Sequence, residues 1–477
     1  EGMAENSYMK KDRMDAALQT IKLFKNLCQA TETDKIIAVA TAAVRNADNQ
    51  KEFLDRVKRE TGLDVRVLSG YEEGYYDYWG VVNSIDYSDG LIMDIGGGSV
   101  ELILMENREI KESTSLNFGA LTLTQKFNLF DPIDSQREND LEEFLKNEYE
   151  NLTWLKDIDD LKLIGVGGTI RNIAKIDKRK KDYPLDMLHY YNMKDKEVID
   201  VYDLVKEKTI EERKNISGLS KKRADIFIGA SAIISYLMDH FNINDLLISG
   251  KGIREGLIYN YLYSNEKPAE NVVDFSIQNI MQNYNLNIEH ARNIHRLSKS
   301  LYRQLKYLFT FDVEKEFEEN IDNIIKVAAM FHDIGAHINY YDHHEHSFYM
   351  IINSDINGLT HRELLISAFI AASHRHTKYS LRKYNLNRAS FKQIISKNGK
   401  DKEIIRKIGI LFELAESFDR SMKGIVTDLE CTYDEEKVKI KAISGEDIEL
   451  EINDALDAQD GFEKLFDREL IIKSGLF

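Results

Sequence analysis

The chain has 477 residues, 43% hydrophobic and 30% charged with three prolines, which excludes disordered and fibrous classes and leaves room for two to four domains. Its 81 acidic residues outnumber 64 basic ones for a formal net charge of −17, and this excludes general nucleic-acid binding, which needs a basic footprint to neutralise phosphates. No stretch approaches 18 consecutive apolar residues and the first twenty lack the basic-then-apolar order of a signal peptide, so a cytoplasmic location away from membranes is expected.

Apolar residues recur at helical spacing from about residue 8 to 28 (Met14, Ala17, Leu18, Ile21, Phe24), and Lys35 to Ala40 follows as a strand. A helix over 49–61 and a short strand from Asp64 to Leu68 continue an α/β alternation. Residues 90–120 change character. Gly90 to Asp94, Val100 to Met105 and Glu109 to Lys111 are strands joined by turns with no room for helices, which predicts an antiparallel meander. A helical stretch to about 156, a strand over 161–165, a glycine turn entering a helix and a strand over 246–250 close this pattern.

A polar, proline-bearing segment at Asn265 to Glu270 marks a domain boundary. Beyond it, to about 425, the chain is almost free of strand signals and holds ten of its twelve histidines, with apolar stripes in 290–311 and 320–331. Val426 to Ile452 reads as a small strand hairpin. Cys28 and Cys431 stand apart from each other and from any metal-ligand spacing, and both are expected in the core.

The strongest chemical signal is Asp94-Ile95-Gly96-Gly97-Gly98-Ser99-Val100-Glu101. Three glycines between apolar strands make a tight turn whose N–H groups can converge on phosphate oxygens, because no side chain blocks the approach. The turn also brings Asp94 and Glu101 together, and two hard oxygen ligands beside a phosphate cradle suit Mg²⁺. For three glycines alone a flexible hairpin loop is the better reading; the flanking strands and acids shift the balance to phosphate. A second glycine turn, Gly165-Val166-Gly167-Gly168-Thr169, follows a strand and opens a helix, a ready anion site.

Paired acids in Ser69-Gly70-Tyr71-Glu72-Glu73 read equally well as a base orienting water and as a helix-capping pair. Arg45 and Arg254 lie beside strand ends, where a guanidinium can hold phosphate bidentately or simply join a surface ion pair. The basic runs Lys175 to Lys181 and Lys221 to Arg223 are more often solvated faces than substrate sites.

Together Thr41-Ala42-Ala43-Val44-Arg45, Leu68-Ser69-Gly70-x-Glu72-Glu73, Asp94 to Glu101, Gly165-x-Gly167-Gly168-Thr169 and Gly252-Ile253-Arg254-Glu255-Gly256 resemble the exopolyphosphatase and guanosine pentaphosphate phosphatase (Ppx/GppA) family, of the actin, sugar-kinase and Hsp70-like ATPase superfamily. The resemblance runs from near residue 1 to about 265. It implies an α/β fold of two ribonuclease-H-like lobes, 1–84 and 85–265, followed by a helical domain over 270–425 and a small α+β segment over 426–477. By the same resemblance Glu73 is the base activating water, Asp94 and Glu101 hold Mg²⁺ or another divalent cation, Gly96 to Ser99 with Gly167 and Gly168 cradle phosphate, and Arg45 and Arg254 bind it. The implied substrate is inorganic polyphosphate or guanosine pentaphosphate, and the implied assembly a homodimer. The family opens with a strand pair carrying a loop of the form Asp-x-Gly-Ser-Asn-Ser, which this sequence lacks, so the chain is expected to be truncated at its N-terminus.

His332-Asp333, with His290 before it and His343, His344, His346, His374 and Asp419 after it, resembles an HD-type phosphohydrolase domain, in which histidines and aspartates on neighbouring helices bind divalent metal. Beside exopolyphosphatase, two readings remain open: an HD-type nucleotide phosphohydrolase acting through His332 and Asp333, and a polyphosphate or guanosine tetraphosphate sensor that binds without turnover.

Overall fold

The structure, a computed structural model, describes residues 8–157, 161–263, 267–309, 315–375, 391–395 and 399–476. Contacts divide the chain into two units, Glu1–Lys181 with Leu188–Glu270, and Asp182–Met187 with Asn271–Phe477.

The first unit begins with α1 (Lys11–Ala30), β1 (Ala38–Ala40), the single turn α2 (Ala42–Arg45), α3 (Gln50–Thr61) and β2 (Val65–Val67). Met14 and Leu18 of α1 pack on Phe53 and Val57 of α3, the i, i+4 stripe that the apolar spacing marks. Gly62 ends α3 at φ 73°, a left-handed turn that its N–H seals on the Lys58 carbonyl at 2.8 Å. β1 and β2 pair in parallel. α4 (Gly70–Val82) then leads to the main sheet.

That sheet contains β3 (Gly90–Ile95), β4 (Val100–Glu106), β5 (Glu109–Leu116), β6 (Leu163–Val166), β7 (Asn192–Lys194) and β8 (Asp245–Ile248), in the order β5-β4-β3-β6-β8-β7. The first three form the expected antiparallel meander, β6 and β8 continue it in parallel, and β7 is an antiparallel edge. Three residues are too few to show a period of two, so β7 leaves no trace in the pattern. The connecting helices are α5 (Ala120–Lys126), α6 (Ser135–Glu150), α7 (Gly167–Lys180), α8 (Asp195–Lys206), α9 (Ile210–Arg213), α10 (Phe227–His240) and α11 (Ile253–Leu262). α4 lies on one face of the meander, where Tyr78, Trp79 and Val82 meet Ile92, Ile103 and Met105.

The second unit is helical, with α12 (Val272–Tyr284), α13 (Ile288–Leu305), α14 (Lys315–Phe331), α15 (His343–Asn353), α16 (His361–Ala372) and α17 (Lys400–Ser417). Ile294, Leu301, Ile324, Phe369 and Phe412 sit in its core. β9 (Val426–Tyr433) and β10 (Lys437–Ser444) make the expected hairpin. Glu449 to Ile452 is not its continuation but the start of α18 (Glu449–Leu456), which α19 (Gln459–Phe466) and β11 (Glu469–Leu476) follow, and β11 runs parallel to β10. Val426, Leu429, Val438, Ile440 and Leu470 belong to the same apolar core as the helices. Residues from 426 onward therefore share the hydrophobic core of the unit they close.

Both cysteines are half-buried rather than core. Cys28 lies a turn beyond Lys25, whose ammonium already reaches the last residue of α3 at the Thr61 carbonyl, 2.7 Å. Among the described residues no helix is long and apolar enough to cross a membrane.

Candidate functional site

The N-terminus of α4 separates the two acids that the sequence leaves equivalent. Ser69 is the N-cap: its hydroxyl accepts from the Glu72 N–H at 3.2 Å, and its own N–H donates to Glu72 Oε2 at 2.8 Å. Glu72 is thus consumed in a capping box. Glu73, one residue on, turns inward, is 6% exposed, and its Oε2 accepts from Arg45 Nη1 at 2.9 Å. The same Arg45 nitrogen donates to the Leu68 carbonyl at 2.8 Å, which ties α2 to the end of β2 and aims the guanidinium at α4.

Asp94 and Glu101 are direct cross-strand partners in the β3–β4 register. Alternation along each strand puts them on the face that also carries Ile92, Ile103 and Met105, the face α4 covers. Glu101 Oε1 accepts from Ser115 Oγ at 2.9 Å, while Oε2 is buried without a hydrogen bond. Like charges directly opposite on a sheet repel. Burial, reinforced by Glu73 and Asp94, pushes the Glu101 carboxyl up to about 8; burial and Glu73 push Asp94 up to about 6 against the pull of Arg171 and Arg223.

A fourth carboxylate joins them. Asp77 stands one helical turn after Glu73 on α4, is fully buried, and neither of its oxygens has a hydrogen-bond partner. Burial and the charges of Asp94, Glu101 and Glu73 push its carboxyl well up. Sequence reasoning passed over Asp77 although the i, i+4 spacing from Glu73 was there to be read. Four gathered carboxylates, with both Asp77 oxygens and Glu101 Oε2 buried without a hydrogen bond, fit a divalent cation, which takes one or two carboxylates and keeps its other positions for water and phosphate.

Glu101 holds its proton to about pH 8 in the fold but loses it near 4.5 when unfolded. Its contribution is therefore complete below pH 4.5 and is lost as pH rises through about 8. In chelator, Glu101→Gln is expected to be more stable than wild type at pH 9 by about 5 kcal/mol, a difference that shrinks towards pH 5 and narrows when Mg²⁺ is added. Melting curves across that range check it, and parallel curves for the two proteins would refute it.

The first glycine loop closes β3 onto β4 with Gly96 N–H donating to the Ser99 carbonyl at 3.0 Å. Its carbonyls accept from the first turn of α5, Ala120 N–H to Gly96 at 3.0 Å and Leu121 N–H to Gly97 at 2.9 Å. Gly97 is exposed, Gly98 is half-buried beside Ala42, and Ser99 is 3% exposed. The second loop holds Gly167 at φ 82°, where a Cβ would stand 1.9 Å from Asp94 Oδ1. Gly168 similarly leaves space for Arg223, whose Nη1 donates to Thr169 Oγ1 at 2.8 Å. Arg171 Nη1 reaches the Gly250 carbonyl at 3.1 Å. These two arginines, one from the glycine turn and one from a basic run, are the guanidinium groups whose charge acts on Asp94.

Arg254 is exposed in the first turn of α11. The glycines on either side of it serve close helix packing, since a Cβ on Gly256 would lie 1.8 Å from the Tyr76 carbonyl oxygen, and one on Gly80 would lie 2.6 Å from the Gly252 carbonyl oxygen. Most of the basic runs are paired or solvated, with Lys181 on Asp177 and Glu197 and Lys180 on Asp200.

In the second unit His290, His332, His343 and His374 are buried close to Asp333 and Glu416. Two sequence expectations change. His346 is outside these clusters, and His343 on the same helix takes the inward place. Asp419 does not converge with the ring Nε2 atoms; it accepts from the far side of His290, and Glu416, a turn earlier on α17, faces the centre.

Comparison with known proteins bears on both units. A solved exopolyphosphatase from Cytophaga hutchinsonii is 26% identical, with a TM-score of 0.53 over 56% of this chain and 87% of that one. The Aquifex aeolicus member of the Ppx/GppA protein family is 30% identical, with a TM-score of 0.49 over 55% of this chain and 85% of that one. The bifunctional 3-dehydroquinate synthase/phosphatase of Fusobacterium nucleatum is 30% identical over 256 residues, 52% of this chain and 38% of that protein, so the chain spans well under half of that relative's length. The model of the Ppx/GppA phosphatase family matches residues 1–265 and that of Ppx/GppA phosphatase domain III matches residues 272–460, and the chain accordingly belongs to the Ppx/GppA phosphatase family.

Proposed function

We propose that the first unit is the catalytic part of an exopolyphosphatase, which hydrolyses the terminal phosphate of inorganic polyphosphate and, with the same groups, of guanosine pentaphosphate. The observation that carries this reading is the gathering of Glu73, Asp77, Asp94 and Glu101 beneath two glycine loops, with Arg171 and Arg223 alongside. The likeness to a solved exopolyphosphatase supports it.

In this reading Asp94 and Glu101 would hold Mg²⁺, which when bound neutralises charge on the departing phosphate. Glu73 accepts the proton of the attacking water, its carboxylate held in place by Arg45. Backbone N–H groups of Gly97 to Ser99 and of Gly167 and Gly168 receive the phosphate oxygens, the Gly96 N–H being spent on the Ser99 carbonyl to hold the loop closed. Burial, with the charges of Asp94, Glu101 and Glu73, favours the neutral form of Asp77 beside them. A cytoplasmic location and a homodimeric assembly belong to the same proposal.

The test is phosphate release by the full-length protein from long-chain polyphosphate and from guanosine pentaphosphate with Mg²⁺, alongside Asp94→Asn. Release that collapses in Asp94→Asn supports the reading. Tight binding of either compound with no release by the wild type would replace it with the sensor.

A further inference from the structure

We infer that the cleft between α6, α8 and α10 binds a linear aliphatic diamine, whose ammonium groups the carboxylates around it receive. The cleft lies within the first unit, and the inference stands whichever way the reading of the glycine loops falls.

The three helices line the cleft with one face each. Glu138 and Glu142 come from α6, Asp203 and Lys206 from α8, and Ser235 and Asp239 from α10, all at the three- and four-residue spacing that keeps side chains on one side of a helix. A face of this spacing that turns towards neighbouring helices is ordinarily apolar. Here only the floor is, with Leu141, Leu145 and Ala232 buried, and the walls are acidic. The space enclosed is about 180 Å³. That is room for roughly six waters at ~30 Å³ each, or for a short methylene chain with an ammonium at either end.

Four carboxylates face one ammonium. Lys206 Nζ is shared by Glu138 Oε1 and Asp203 Oδ1, both at 2.8 Å, and the Tyr202 hydroxyl also donates to Glu138 Oε1 at 3.1 Å. Glu142 and Asp239 have no such partner and form no ion pair among the described residues. Burial, with Glu138 and Asp239 adding to it, pushes the Glu142 carboxyl up against the pull of Lys206. A cation in the cleft would relieve that repulsion, whereas an anion would add to it.

Ser235 points the same way. It is 6% exposed, lines the cleft and makes no hydrogen bond among the described residues. A serine inside a helix commonly returns its proton to the carbonyl one turn back, as Ser231 does to Phe227 at 2.8 Å on the same helix. A buried hydroxyl left without a partner is costly, and its oxygen is an acceptor that an ammonium N–H can fill.

A metal ion suits this cleft poorly, because its ligand atoms must converge on one point. The groups of described residues whose donor atoms lie within 4.8 Å of one another do not include these acids. Separated carboxylates above an apolar floor match a cation whose charges are themselves separated by methylene groups.

Equilibrium dialysis of putrescine against the full chain, in chelator and at about 0.15 M salt so that loose surface attraction is screened, tests the proposal. One saturable site per chain is expected, and n-butylamine, with a single ammonium, should bind at least tenfold more weakly. Glu142→Gln and Asp239→Asn, both at exposed positions, should each weaken putrescine three- to tenfold and together more than tenfold, with unchanged circular dichroism. Ser235→Ala should weaken it a few-fold. Asp94→Asn should leave the affinity unchanged, which separates the cleft from the carboxylates beneath the glycine loops. No saturable binding, an affinity no better than that of n-butylamine, or an affinity untouched by the double substitution would overturn it.

Discussion

Glu73→Gln is expected to lower the turnover of polyphosphate by about 10²- to 10⁴-fold with little change in KM, the range for loss of a general base. The substitution keeps the size and position of the side chain, and the Gln carbonyl can still accept from Arg45 Nη1, which now stands 2.9 Å from Glu73 Oε2. What is lost is the ability to take a proton from water. Glu72→Gln gives the contrast, because its carbonyl still accepts from the Ser69 N–H and only the negative charge in the first turn of α4 is lost, which should cost about 0.3–1 kcal/mol of stability and leave turnover within a few-fold of wild type. Steady-state phosphate release by both variants decides the matter. Activity of Glu73→Gln within tenfold of wild type would remove Glu73 from the chemistry.

Gly256→Ala should be among the most damaging single-methyl additions in the first unit. The added Cβ would stand 1.8 Å from the Tyr76 carbonyl oxygen and 3.0 Å from Gly80 N, and these are backbone atoms that cannot rotate away. α4 and α11 meet here backbone to backbone, and one turn along a Cβ added to Gly80 would lie 2.6 Å from the Gly252 carbonyl oxygen. Relief requires the helices to separate by more than an ångström, which uncovers Leu68, Tyr76 and Leu257 and displaces the helix that carries Glu73 and Asp77. A loss of about 3 kcal/mol is expected, or roughly 6–12 °C in melting temperature for a unit of this size, with activity falling as well. Gly445→Ala, where nothing lies within 4 Å, is the neutral control. Equal melting temperatures for the two variants would show that the helices yield easily.

Much of the architecture was legible because it is local. Short apolar runs joined by turns too short for helices specify the meander over 90–116, and the i, i+4 stripe of Met14 and Leu18 specifies the face of α1. Asp94 and Glu101 were readable as neighbours, since a tight turn between two strands leaves one register that places the acid before it opposite the acid after it. The divide near residue 270 showed in composition.

Which way a side chain faces was not legible, because packing against distant segments decides it. Glu72 and Glu73 are adjacent and chemically alike, and only the cap at Ser69 and the arginine arriving from α2 set them apart. Arg223 sits in a basic run like many others until the glycine turn after β6 leaves a space for its guanidinium. Glu416 and Asp419 are three apart at the end of α17, as are His343 and His346 on α15, and the helix period keeps either member of each pair near the same face. The sequence by itself determined which elements form and which residue types gather near their ends, since periodicity and turn chemistry act over a few residues. The tertiary structure alone decided which carboxylate, arginine and imidazole is buried and aimed, since that depends on contacts between residues far apart in the chain, from Arg45 with Glu73 to His290 with Asp419.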